Sequence, residues 1–305
     1  MTESEDRAAD RAADRAVLIG LIGHGVGPSL TPRMHELEGA RHGLRHIYRT
    51  VEFPETQDPA AALDHLLSSA EAFGFDGLNL THPVKQTVIP LLDELSGPAR
   101  RVDAVNTVVW REGRRVGHNT DVSGFSASLE DAMGRTHRGR VVLLGAGGAG
   151  SAAAHALAAA GVEDLTVVDV DRRRAGEVAE AVARHHEVAS VPATPEDLPA
   201  LLADADGLVN ATPIGMAHHP GTPVDRRHLH PGLWVCDVIY RPVETQLLLE
   251  ARALGCRTVS GLGMAMHQAA EAFEIFTGEP ADRHAMLADL QSLVAAEQNL
   301  SPTPR

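Results

Sequence analysis

Apolar residues along this chain fall into short unbroken runs separated by stretches of helical spacing. VLIGLIG from Val17, VVLL from Val141, LTVV from Leu165, GLVNAT from Gly207 and LWVCDVIY from Leu233 are such runs, each bounded by glycine or polar residues. Runs of this length predict strands covered on both faces. Further strands are predicted over His46 to Glu52, Val188 to Val191 and from Arg257 (RTVSG). Helical spacing predicts helices at about Arg33 to His42, Pro59 to Phe73, Thr87 to Leu95, Asp121 to Met133 and Arg173 to His185, then Pro199 to Ala203, Glu244 to Leu254 and Met264 to Phe276. AVNTVVWREGRRVGHNTD, from Ala104, reads as a hairpin that turns at Glu112–Gly113. Strands that alternate with helices predict an α/β fold built on a doubly wound parallel sheet.

The stretch from Val141 to Asp171 carries the clearest chemistry. A strand leads into glycines at 145, 147 and 150, an Ala-rich helix follows, and a second strand ends in Asp169. The G-x-G-x-x-G spacing alone is weak, and a glycine-rich turn in an ordinary αβ unit is the alternative. The strand before it, the helix after it and an acid about 20 residues on are what a dinucleotide site needs. Gly145 permits the tight turn, Gly147 lets a pyrophosphate approach the backbone, and Gly150 lets the helix pack closely on the strand.

Composition narrows the partners. A chain of 305 residues has room for two domains. A formal net charge of −14 disfavours a nucleic acid or an anionic membrane as main partner and leaves small molecules. Cys236 and Cys256 show neither metal-type spacing nor a disulfide framework, so a cytoplasmic location is expected. No HExxH or Cys/His cluster organises the 17 histidines, and no metal is expected. The acidic N-terminus has no secretory pattern, and no apolar run reaches the roughly 18 residues of a membrane span. Residues 1–16, with a D-R-A-A repeat and no apolar stripe, are expected to be a disordered extension; residues 295–305 are expected to be a loose tail.

Outside the glycine-rich unit, polar residues gather where loops leave apolar strands. Ser29 and Thr31 share one loop, Asn79 and Thr81 end a strand, Lys85 follows, and Asn106 and Asn119-Thr120-Asp121 flank the hairpin. Hydroxyls and amides of this kind suit a polyhydroxylated ligand, although single Ser, Thr and Asn residues also occur in loops as local caps.

These stretches match a known family. GLIGHGVGPSLTPRMHE from Gly20, GLNLTHPVKQ from Gly77, AVNTVV from Ala104 and GHNTDVSGF from Gly117 follow in order, then GAGGAGSA from Gly145, NATPIGM from Asn210, DVIYRP from Asp237 and GLGMAMHQAAEAF from Gly261. Over roughly residues 17 to 290 the chain resembles the shikimate dehydrogenases, most closely the NAD-dependent quinate/shikimate dehydrogenase subgroup. The resemblance implies a Rossmann-type dinucleotide domain at 121–263 and an N-terminal α/β substrate domain formed by 17–120 and 264–294. It implies reversible oxidation of the C3 hydroxyl of shikimate or quinate, with Lys85 and Asp121 as the catalytic pair. Ser29 and Thr31 would hold the substrate carboxylate; Asn79, Thr81, Asn106, Asp121 and Gln268 its hydroxyls; and Tyr240 would line the pocket. Gly145, Ala146, Gly147, Gly148, Ala149, Gly150, Asp169, Asn210, Thr212 and Gly263 would bind the cofactor. A homodimer is a candidate assembly.

Two departures from the common family pattern bear on specificity. The second serine of the first loop is Thr31, as in the subgroup that accepts quinate. Where NADP-using members carry an Asn-Arg-Thr turn, this chain reads Asp169-Val170-Asp171. A carboxylate there accepts hydrogen bonds from ribose hydroxyls and repels a 2′-phosphate, so NAD is expected. Arg172 or Arg173 offers a partial compensation that keeps NADP open. Shikimate alone, or an amino derivative of either acid, remains an alternative substrate. A folate dehydrogenase of the same architecture is disfavoured by the intact Ser29, Thr31, Asn79 and Asp121. A non-catalytic homologue is disfavoured by the presence of both Lys85 and Asp121.

Overall fold

The computed structural model describes residues 16–134 and 139–300. The extension expected over 1–16, Ala16 apart, and residues 301–305 of the expected tail lie outside the described residues. The described residues form two compact units, one of 16–120 with Ala269–Leu293 and one of Asp121–Gln268 with 294–300. The division thus falls after Gln268, not at residue 264 where the sequence places it.

The first unit holds β1 (Ala16–Gly23), α1 (Thr31–Arg41), β2 (Arg45–Glu52), α2 (Pro59–Ala72), β3 (Gly77–Leu80), β4 (Glu94–Leu95), α3 (Gly97–Val102), β5 (Thr107–Arg111) and β6 (Arg114–His118). Its six described strands run in the order β2-β1-β3-β5-β6-β4. Strand β1 pairs in parallel with β2 and β3, so Ile19 stands between Tyr48 and Gly77. Strands β3, β5 and β6 pair antiparallel. The β5–β6 hairpin turns where predicted, with Glu112 at φ 53° and Gly113 at φ 72°. Left-handed conformations at both positions match the right-handed twist of the strands they join. One core cluster gathers Ile22, Phe53, Leu63, Leu67, Leu80 and Val108, and another gathers Val17, Ile19, Tyr48, Val109 and Phe276.

The helix predicted over Thr87 to Leu95 does not form. A turn of 3-10 helix covers Ile89–Leu91 and gives way to β4. Pro90 offers no amide hydrogen with which to continue a helix from the residues before it. Pairing with β6 then takes over: Asp93 N donates to Arg115 O at 2.9 Å, and Arg115 N donates to Asp93 Oδ2 at 2.7 Å. The helix starts later, as α3, where Ser96 Oγ accepts from Ala99 N at 3.3 Å.

The second unit opens with α4 (Asp121–Met133), followed by β7 (Arg140–Leu144), α5 (Gly148–Ala160), β8 (Asp164–Val168), α6 (Arg172–His185), β9 (Ala189–Ala193) and α7 (Leu198–Ala203). Then come β10 (Gly207–Asn210), β11 (Trp234–Asp237), α8 (Gln246–Ala253) and β12 (Arg257–Val259). All pairings are parallel, in the order β12-β11-β10-β7-β8-β9. Successive residues of β7 serve opposite faces, with Val141 and Leu143 in one cluster and Val142 and Leu144 in the other. Coverage on both faces explains why its sequence is an unbroken apolar run.

Two helices complete the chain, α9 (Leu262–Thr277) and α10 (Arg283–Leu300). The latter corrects the tail expected from residue 295, since the helix continues to Leu300. Asp282 Oδ1 accepts from Ala285 N at 3.0 Å at its start, and Met286, Leu290 and Val294 are buried at four-residue spacing. A cap and an apolar stripe are what a helix needs.

Candidate active site

In the first unit, three loops carry the residues singled out for substrate. Thr31 opens α1, and its N donates to Ser29 Oγ at 3.3 Å. With that oxygen accepting from the backbone, the Ser29 hydroxyl keeps a hydrogen to offer an anion, beside a helix N-terminus that favours negative charge. Glu52 organises this loop: its carboxylate accepts from Gly25 N at 2.6 Å and from Val26 N at 3.3 Å. His24 N donates to His82 O at 2.8 Å, which ties the loop to the turn after β3. Thr81 N donates to Ile22 O at 2.9 Å, and Val105 N donates to Lys85 O at 2.8 Å, so the backbone on both sides of that turn is pinned.

Asn79 and Asn106 belong to one buried network with Tyr48, Thr107 and Thr120. Asn119 Nδ2 donates to Ala104 O at 3.0 Å and braces the end of the hairpin. Lys85 falls in the first unit, and Asp121, the first residue of α4, opens the second.

In the second unit the glycine-rich loop has the predicted form. Gly145 adopts φ 93°, which other residues rarely tolerate. A side chain at Gly150 would run into Gly145 O, so α5 can approach the loop only with glycine there. At Gly147 a Cβ would meet Arg174 Nη2 at 3.8 Å and nothing nearer, which leaves this backbone approachable from outside. No side chain caps the start of α5 at Gly147, and the helix opens with Gly148 and Ala149. The loop therefore fits a pyrophosphate by the chemistry of its donors, backbone amides at a helix N-terminus.

Asp169 joins this loop to the end of β8. Its Oδ2 accepts from Ala146 N at 2.7 Å and its Oδ1 from Asp171 N at 2.9 Å. Val170 beside it is 87% exposed. Asp171 caps α6, its Oδ1 accepting from Arg173 N at 2.9 Å.

Asn210 and Thr212 sit beside the glycine loop, since Ala211 N donates to Leu144 O at 2.8 Å. All four hydrogen-bonding positions of the Asn210 amide are taken. Nδ2 donates to Ile214 O at 3.1 Å and Asp237 Oδ1 at 3.0 Å; Oδ1 accepts from Thr212 N at 3.0 Å and Thr212 Oγ1 at 2.7 Å. Asn210 thus shapes the loop rather than reaching outward. Asp237, at the end of β11, also accepts from Thr245 Oγ1 at 2.7 Å and Ile239 N at 3.1 Å. Burial pushes its carboxyl up to about 6, against the opposing pull of these donors.

Tyr240, three residues on, is half-buried, and burial raises its phenol above the ordinary range. Gln268 Nε2 donates to Ala265 O at 2.9 Å, within its own helix. A side chain at Gly263 would strike Ser128 Oγ, so that glycine permits close contact between α9 and α4.

Tyr48, Glu52, Thr107 and Asp237 were not singled out in the sequence. For Tyr48 the available signal was a phenol on the inward parity of an alternating strand, where its hydroxyl needs a partner. For Asp237 it was an acid closing an otherwise apolar strand. Thr107 and Glu52 carry no signal that sets them apart from ordinary strand residues.

Comparison with known proteins identifies the family. The model for the shikimate dehydrogenase substrate binding domain matches residues 21–108, and that for the shikimate 5'-dehydrogenase C-terminal domain matches 261–291. A ThiF family model matches residues 119–174, a span that includes the glycine-rich loop. Shikimate dehydrogenase (NADP(+)) of Streptomyces avermitilis is 52% identical over 277 residues, 90% of this chain and 95% of that protein. Quinate/shikimate dehydrogenase (NAD(+)) of Corynebacterium efficiens is 47% identical over 281 residues, covering 91% and 98%. Among solved structures, quinate dehydrogenase from Corynebacterium glutamicum in complex with NAD superposes with a TM-score of 0.85 at 45% identity, covering 92% of this chain and 100% of that one. The chain belongs to the shikimate dehydrogenase family and is an NAD(P)-dependent alcohol oxidoreductase of the quinate/shikimate type.

Proposed function

We propose that this enzyme is an NAD-dependent quinate/shikimate dehydrogenase. It oxidises the C3 hydroxyl of shikimate to 3-dehydroshikimate and of quinate to 3-dehydroquinate, reversibly. The observation that carries the cofactor choice is the Asp169 carboxylate, held by the amides of Ala146 and Asp171 at the end of β8 with an exposed Val170 next to it. Each carboxylate oxygen spends one acceptor site on the backbone and keeps another for a ribose hydroxyl. A 2′-phosphate would face like charge at Asp169 and an uncharged side chain at 170.

A bound nicotinamide supplies the hydride acceptor for the ring carbon. The chain does the rest. Ser29 and Thr31 hold the carboxylate at the start of α1, while Asn79, Thr81, Asn106, Asp121 and Gln268 hold ring hydroxyls and Tyr240 lines the pocket. Lys85 takes the C3 hydroxyl proton as the carbon is oxidised and returns it in the reverse direction, with Asp121 as its charged counterpart. Thr31, in place of a serine, adds a methyl at the carboxylate end and supports use of quinate beside shikimate.

A second reading, NADP-dependent oxidation of shikimate, draws on Arg174, whose guanidinium stands near Gly147, and on the name of the Streptomyces relative. NADH formation at alkaline pH with shikimate and with quinate separately tests the substrate claim. Both should give signal; signal from shikimate alone removes the quinate half, and silence from both removes the proposal.

A further inference from the structure

Five buried side chains of the first unit form a hydrogen-bonded chain whose donors all run one way. Tyr48 Oη donates to Asn79 Oδ1 at 2.6 Å, Asn79 Nδ2 to Thr107 Oγ1 at 2.9 Å, Thr107 Oγ1 to Asn106 Oδ1 at 3.0 Å, and Asn106 Nδ2 to Thr120 Oγ1 at 2.9 Å. The backbone dictates this direction. Asn106 O only accepts, and it lies 3.1 Å from Asn79 Nδ2, so the nitrogen must face it and the oxygen must face Tyr48. Thr120 N only donates, and it lies 2.9 Å from Asn106 Oδ1, which fixes the second amide in the same manner. Between them the Thr107 hydroxyl has one arrangement left, accepting from the first amide and donating to the second.

Tyr48 enters the chain as a donor that cannot be reversed. Asn79 Oδ1 only accepts, and burial pushes the phenol well above its ordinary value, so the oxygen keeps its proton. Its ring packs against His35 and His46, with centroids 5.0 Å and 6.2 Å away.

The consequence for ligand binding is specific. Both Asn79 N–H groups are spent on Asn106 O and Thr107 Oγ1, and one Oδ1 lone pair is spent on Tyr48. What Asn79 has left is one acceptor site, so a hydroxyl that meets it must donate. We infer that Tyr48 and Thr107 are positioning residues of the substrate half, setting the donor and acceptor polarity that Asn79 and Asn106 present to ring hydroxyls. The inference rests on the proposed role of these two asparagines.

Three variants test it with shikimate, quinate, NAD and NADP as probes. Thr107→Val keeps the shape and removes the hydroxyl, leaving Asn79 Nδ2 and Asn106 Oδ1 both short of a partner. It should raise KM for shikimate roughly tenfold or more while KM for NAD stays within about twofold. Tyr48→Phe should raise the same KM by less, and Thr107→Ser should restore it. A role confined to packing of the threonine methyl predicts the reverse, a silent Thr107→Val and a damaged Thr107→Ser, and that result overturns the inference. So does wild-type KM in both Thr107→Val and Tyr48→Phe.

A readout without substrate separates this inference from the proposed function. In ligand-free 15N-labelled protein, the side-chain amide signals of Asn79 and Asn106 should move together in Tyr48→Phe and in Thr107→Val. If the wild type oxidises neither acid, the proposed function falls and these signals decide alone. Joint movement upholds the polarised chain; an Asn106 signal indifferent to Tyr48→Phe rejects it.

Discussion

At the scale of single residues, charge decides the chemistry. Lys85 is the side chain assigned to move the hydroxyl proton, and Lys85→Ala should cut turnover by roughly 10²- to 10⁴-fold with little change in substrate affinity. Steady-state kinetics with a substrate Kd check this; near-normal turnover would remove Lys85 from the reaction. In the proposed reading, Asp169 and Val170 set the cofactor. Replacing them together, Asp169→Asn with Val170→Arg, takes away a carboxylate and supplies a guanidinium able to pair with a 2′-phosphate. The double variant should improve kcat/KM for NADP by roughly tenfold or more and lower it for NAD, where tenfold corresponds to about 1.4 kcal/mol. Unchanged cofactor preference would show that discrimination lies elsewhere.

The positions of these residues, at strand ends and beside the glycine loop, were legible in the sequence because their spacing is local. Tyr48 and Thr107 were not, because what they do depends on pairing between β2, β1, β3 and β5, which no local pattern states. Asn210 shows the opposite limit. Its motif marks a loop beside the glycines, but only the four hydrogen bonds of its amide reveal that it works on the loop itself.

At the scale of elements, α1 and β2 press two histidines into the core. His35 and His46 are buried with ring centroids 5.6 Å apart, and their ring nitrogens have no hydrogen-bond partner among the described residues. Burial lowers His35 well below its ordinary range and lowers His46 to about 4. Above pH 6.5 both folded and unfolded chains hold these rings neutral, so no penalty arises. As pH falls from 6.5 towards 4 the unfolded chain takes up the proton first, and His46 alone should remove about 2 kcal/mol of stability at pH 5.

Asp237 has the opposite sign. With its carboxyl raised to about 6, its contribution is fully present below its unfolded value near 3.8 and is lost as pH rises through 6. Urea unfolding between pH 7 and 5 should therefore show a smaller acid loss for His46→Phe than for the wild type. Parallel curves would contradict the assignment to His46.

The same scale explains which elements the sequence concealed. In the Thr87–Leu95 segment, helical spacing competed with Pro90 and with the partner strand β6, and tertiary pairing won. Helix α10 has its stripe at Met286, Leu290 and Val294, but the polar residues after it mask where the helix stops. The alternating strands and helices of the second unit were legible almost throughout, since strands buried on both faces announce themselves as apolar runs.

At the scale of the whole molecule, one chain contributes a mixed six-stranded sheet with the proposed substrate loops and a fully parallel one with the cofactor loops. No helix among the described residues is long and apolar enough to cross a membrane. Relatives of similar identity carry both NADP(+) and NAD(+) in their names, so overall likeness does not choose the cofactor. In the proposed reading the choice rests on the few residues that follow β8. The most direct test is kcat/KM of the wild-type enzyme for NAD and for NADP, each measured with quinate and with shikimate under one set of conditions. NAD should be preferred with both acids, and both should be oxidised; a clear preference for NADP would contradict the proposed cofactor.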